Sequence, residues 1–121
     1  MEFQVAVASL DGVLINQHFG KNREFLIYRI QDNGEYELAE RRELAAPCQS
    51  GQHHEDALVQ AAKQLQDCSF VLVARIGPGA EKILAAHGIK AFEIYDRIDR
   101  AIDRLIQYLN GIKKKQESST S

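Results

Sequence analysis

The chain has no tryptophan, a single methionine, two prolines and two cysteines. Two thiols, Cys48 and Cys68, cannot build the disulfide scaffold of a small secreted fold, so a reduced, cytoplasmic setting is the simpler expectation. Charge of one sign is also lacking. Lys and Arg total 15 against 17 Asp and Glu, for a net charge of −2, which sets no field strong enough to recruit nucleic acid. No apolar run approaches the ~20 residues that a membrane span needs. Met1 to Leu10 has neither a basic n-region nor a long apolar stretch, so no signal peptide is expected there. Enzyme signatures are scarce too. Neither GxSxG nor HExxH occurs, and Ser50 has no evident acid partner. The first strand carries no carboxylate after Glu2, which speaks against a two-metal nuclease.

What is present suits one domain with one core. The 121 residues are 45% apolar, within the ordinary globular range, and a chain of this size needs no staple to fold. Phe3 to Ala8 turns continuously apolar and predicts a buried strand. Asp11-Gly12 is a turn signal, and residues 13–24 lack periodicity and read as a loop. Phe25 to Ile30 and Tyr36 to Leu44 predict two strands joined at Asp32-Asn33-Gly34, where Asn and Gly tolerate positive φ. A loop over 45–52 follows.

His53 to Asp67 predicts a helix with Leu58, Ala61, Ala62 and Leu65 on one face. Phe70 to Ile76 is an apolar strand broken by Gly77-Pro78-Gly79. Ala80 to His87 predicts a short helix closed by Gly88. Ala91 to Tyr95 is a last strand, and Ile98, Ile102, Leu105 and Leu109 share a face of a final helix. The order β-β-β-α-β-α-β-α calls for an α/β fold: a mixed five-stranded sheet, first strand central, helices on both faces. Residues 1–112 form the expected single domain, and 113–121 read as a disordered polar tail.

Topology brings the chemistry together. The loops over 9–24 and 45–52 and the break at Gly77 fall at the carboxyl ends of strands running one way, the edge where open α/β sheets bind ligands. The first loop holds His18, Phe19 and Gly20. The second holds Cys48 and leads into His53 and His54. A thiolate and imidazoles suit soft or borderline metals and iron–sulfur clusters, and amides at helix starts suit an anion. The spacing Cys48-x4-His53-His54 matches no standard zinc pattern. The plainer alternative makes Cys48 an ordinary loop cysteine, His53 and His54 helix caps, and His18 a histidine bonded to loop backbone. Gly20 is expected to support a tight turn. Cys68 reads as a small buried hydrophobe, His87 as a residue suited to a helix end, and Lys113 to Lys115 as a solvated helix end.

Several runs also carry a family likeness. Val5-Ala6-Val7-Ala8-Ser9, Asp11-Gly12, Ile15-Asn16-Gln17-His18-Phe19-Gly20 and Glu24-Phe25-Leu26-Ile27-Tyr28 together resemble the dinitrogenase iron–molybdenum cofactor biosynthesis family. This is the group of NifX, NafY and the carboxy-terminal domain of NifB. Cys48, Leu65-x-Asp67-Cys68, Val71 to Gly77 and Gly88-Ile89 agree, so the resemblance covers about residues 3–109.

The resemblance implies a ribonuclease H-like fold and a non-catalytic domain. Such a domain binds or carries the iron–molybdenum cofactor, or its iron–sulfur precursor, alongside other nitrogenase cofactor assembly proteins. It implies that His18, in the His18-Phe19-Gly20 run, is the cluster ligand, with Cys48 a second metal ligand; His53 and His54 join the expected binding set from their position alone, not from the resemblance. The radical-SAM cysteine motif of full-length NifB is absent, so either an excised domain or a free-standing relative is expected. A regulatory or protein-docking domain that binds no cluster is the rival expectation.

Overall fold

The computed structural model describes residues 2–21, 24–44 and 54–119. Its elements follow the expected order: β1 (Phe3–Val7), a 3-10 turn (Phe19–Lys21), β2 (Glu24–Ile30), β3 (Tyr36–Glu43), α1 (His54–Gln64), β4 (Phe70–Val73), α2 (Pro78–Ala86), β5 (Lys90–Glu93) and α3 (Ile98–Ser119). The sheet order is β3-β2-β1-β4-β5, with β1 central. β2 is antiparallel to both β1 and β3, and the β1–β4 and β4–β5 pairs are parallel. This is the mixed, five-stranded arrangement that the order of elements predicts.

Burial on both faces explains why β1 reads as a continuous apolar run. Ala6 and Ala8 join Phe25, Ile27, Val71 and Val73 beneath α1 and α2, which contribute Leu58, Ala62, Ala80 and Leu84. Val5 and Val7 face the other way, with Leu26, Ile30 and Leu72, against Ile98, Ala101, Ile102 and Leu105 of α3. The edge strand β3 is mostly exposed and charged, with Glu37, Glu40, Arg41 and Glu43, a composition that discourages pairing with another chain.

Turns form where the residue chemistry asks for them. The hairpin closes through Gln31 N–H to Glu35 O at 2.8 Å and Gly34 N–H to Gln31 O at 3.0 Å, with Gly34 at φ +87°. Pro78 stands in the first turn of α2, where its missing N–H costs nothing. His87 closes that helix, its Nδ1 2.9 Å from Ile83 O, and Gly88 follows at φ +78°. Cys68 is buried, as its place between a helix and an apolar strand predicts.

Some boundaries differ from the sequence expectation. α1 starts at His54 and ends at Gln64, giving way to a turn through Asp67. β4 ends at Val73 instead of Ile76, because the next residues pair with the loop after β1. β5 runs Lys90–Glu93, not Ala91 to Tyr95. The helical backbone of α3 continues to Ser119, through the stretch that reads as a disordered tail. Lys, Gln and Glu carry good helix propensity, and no proline interrupts them.

Candidate functional site at the carboxyl edge of the sheet

The segment after β1 is a braced strut laid across the carboxyl edge. The strut opens with a turn built on Asp11. Its carboxylate accepts from Val13 N–H at 2.9 Å and Leu14 N–H at 3.0 Å, while Ser9 Oγ accepts from Gly12 N–H at 3.0 Å. The Leu14 and Val13 amides hold the Asp11 carboxyl below the usual carboxylate range. Gly12 takes φ +78°.

Beyond the turn the strut is sewn to the segments that follow β5 and β4. Leu14 bridges Arg97, with Ile15 N–H donating to Asp96 O at 2.9 Å and Ile98 N–H to Val13 O at 2.8 Å. Farther on, Ala74 N–H donates to Gln17 O at 3.0 Å and Phe19 N–H to Arg75 O at 2.9 Å, forming a parallel bridge between His18 and Arg75. Two apolar side chains anchor this path. Ile15 is fully buried, and Phe19 is 4% exposed with its ring 5.8 Å from that of Phe25.

His18 therefore sits on a fixed backbone between two buried anchors, yet its own side chain is exposed. Among the described residues it has no side-chain hydrogen bond, so the reading in which loop backbone holds the imidazole is not realised there. Phe19 is a core residue whose contribution is to aim its neighbour. Gly20 is exposed, has no positive φ, and a Cβ there would meet nothing within 4 Å. The expected tight turn is present, a 3-10 turn over Phe19–Lys21, but its backbone does not demand glycine. What Gly20 provides is bare surface beside His18.

The other expected site residues are distributed as follows. Cys48 and His53 lie outside the described residues. His54 is the first residue of α1, which follows the carboxyl end of β3 and so begins at the same edge. The start of α2 also lies there. Its N-cap, Gly77, supplies no side-chain cap, and Ile76 N–H donates to Glu93 Oε2 at 3.2 Å. Among the described residues no group of three or more His, Cys, Asp or Glu is placed to hold a metal ion.

Arg75 is the residue of this corner that sequence reasoning missed. The signals available were an arginine before a Gly-Pro-Gly break and its place in the Ala74-Arg75-Ile76-Gly77 run of the family resemblance. Its pairing with His18 is tertiary. Cys68, by contrast, plays no part at this edge. Burial pushes its thiol up to about 12, and it lies near the Asp67 carboxylate at 3.7 Å.

The fold is a small mixed α/β domain whose carboxyl edge exposes His18 and Arg75. The comparisons narrow that class. Residues 1–108 match the family model described as dinitrogenase iron-molybdenum cofactor, and the chain belongs to that family. It is 38% identical over 99 residues to the FeMo cofactor biosynthesis protein NifB of Chlorobaculum tepidum, covering 81% of this chain and 22% of that one. It is 34% identical over 84 residues to protein NifY of Klebsiella pneumoniae, covering 69% of this chain and 34% of that one. The chain thus spans well under half the length of these curated relatives. Among solved structures, the crystal structure of PH0822 shares the fold with a TM-score of 0.60 at 22% identity, over 86% of this chain and 90% of that one. No helix among the described residues is long and apolar enough to cross a membrane.

Proposed function

We propose that this domain binds the iron–molybdenum cofactor, or its iron–sulfur precursor, as cargo during nitrogenase cofactor assembly, without catalysing a reaction. The observation that carries the reading is the exposed imidazole of His18, held on a strut that is bonded to β4 and anchored by buried Phe19. A preorganised imidazole beside exposed surface can take up a large, preformed cluster and give it up again. His18 is the ligand in this reading. Cys48 is a second metal ligand, His53 and His54 assist, and Phe19 and Gly20 shape the seat. Membership of the family and the names of the NifB and NifY relatives support the same direction. The reading also takes the sheet to be ribonuclease H-like, the setting to be cytoplasmic, and the partners to be nitrogenase cofactor assembly proteins.

The test is an anaerobic titration of the purified protein with extracted iron–molybdenum cofactor, repeated with His18→Ala. Loss of affinity by about tenfold or more is expected, the scale on which metal-site perturbations act. Equal affinity in the two proteins removes His18 from the site.

A docking domain that binds no cluster is the second reading, and a specific observation favours it. Leu10, Val13 and Tyr95 are large, exposed apolar side chains on segments at this same edge, a composition typical of partner contacts. A protein that takes up no cofactor yet still binds an assembly protein, and loses that binding on Leu10→Ser with Tyr95→Ser, would establish it.

A further inference from the structure

We propose that Arg75 is the counter-charge for a metal–sulfur anion held at His18, so that this edge selects its cargo by net negative charge. The inference rests on the cargo-binding reading above and adds the electrostatic half of the site. Three observations carry it.

The first is register. His18 and Arg75 face each other across a parallel bridge fixed by the Phe19 N–H to Arg75 O bond at 2.9 Å. Side chains paired in this way stand beside one another.

The second is the missing partner. Arg29, Arg41, Arg42, Arg97 and Arg104 each pair with a carboxylate, whereas Arg75 and Arg100, the latter in the first turn of α3, do not among the described residues. The exposed side chain of Arg75 has no ion pair or hydrogen bond among the described residues. The carboxylate of Glu93, which accepts from the adjacent Ile76 N–H at 3.2 Å, makes no ion pair with it. A guanidinium whose backbone is pinned and whose charge is unspent is suited to a ligand anion, because its planar fork loses little freedom on binding.

The third is clearance. Gly20 and Gly77 flank the pair in sequence, and both are exposed. Neither has a positive φ, and a Cβ at either would touch nothing within 4 Å. The fold itself does not require glycine there, whereas a bulky ligand resting against backbone does.

The experiment titrates extracted iron–molybdenum cofactor, a metal–sulfur anion, into wild-type protein, His18→Ala, Arg75→Gln and Arg75→Lys at several ionic strengths. Circular dichroism checks that each is folded. Arg75 is exposed and its bridge is made by backbone, so the variants are expected to fold normally. Arg75→Gln should weaken binding about two- to fivefold and flatten its salt dependence, since exposed charge pairs are modest and screened. Arg75→Lys should keep the salt dependence and lose part of the affinity.

Wild-type binding lost in His18→Ala, but with unchanged affinity and salt slope in Arg75→Gln, overturns this inference and leaves the cargo reading standing. No binding by wild type overturns both.

Discussion

His18 and Phe19 are consecutive, yet they point to opposite environments: the imidazole is exposed and the phenyl ring is 4% exposed, 5.8 Å from Phe25. One residue is presented and the next holds it in place. Phe19→Ala should therefore cost about 3 kcal/mol, as expected for an emptied aromatic core position, whereas His18→Ala should change stability by less than about 0.5 kcal/mol. Urea denaturation of both variants checks this. A neutral Phe19→Ala would mean that the strut is not anchored as described.

Arg42 and Asp67 tie β3 to the turn after α1. Arg42 Nη1 donates to Asp67 Oδ1 at 2.7 Å and Nη2 to Oδ2 at 2.8 Å, Arg42 also pairs with Glu40, and Gln4 Nε2 donates to Asp67 Oδ2 at 2.9 Å. The Arg42 guanidinium beside Asp67 lowers its carboxyl to about 2. A carboxyl lowered by folding stabilises the native state above its unfolded value of about 3.9, and the contribution is lost as pH falls towards 2. The Asp67 side chain is 50% exposed, so screening reduces the contribution to about 1 kcal/mol. Asp67→Asn should lose that amount at pH 7, and the difference from wild type should shrink steadily between pH 4 and pH 2 in acid titrations followed by circular dichroism.

Cys68 should be silent in the native protein. Its thiol is buried and held near 12, so at pH 8 almost no thiolate exists. With Cys48→Ser as background, a thiol reagent should label the folded protein only at the rate of unfolding and should label fully in denaturant. Prompt labelling of native protein would contradict the packing around Cys68.

Gly79 sits in the first turn of α2 without a positive φ, and a Cβ there would meet nothing within 4 Å. Gly79→Ala should therefore raise stability by up to about 1 kcal/mol, through helix propensity and a less flexible unfolded chain. If the cofactor rests on this edge, the same variant should bind it more weakly. Thermal denaturation and the anaerobic titration, run on one preparation, measure both.

Much of the fold was legible because its signals are local. The Asn33-Gly34 turn, the Pro78 start and Gly88 close of α2, and the doubly apolar run of β1 each express a preference of a few neighbouring residues. So does the burial of Cys68 between a helix and an apolar strand. The candidate site was legible in part. Residue type and topology led to His18, and the resemblance supplied its expected role. Gly20 does lie in a tight turn, Phe19–Lys21, but composition alone does not separate a glycine needed for φ from one that the turn merely tolerates.

The sequence by itself determined the order of elements, the two-faced core, and the loop that would carry a histidine to the carboxyl edge. Only the tertiary structure decided that this loop is a strut bonded to both β4 and the β5–α3 connection. Only the tertiary structure set Arg75 beside His18. The physical reason is that such bridges are backbone hydrogen bonds between residues far apart in the chain. Backbone amides carry no side-chain signature, so their partners emerge only when the whole sheet is assembled.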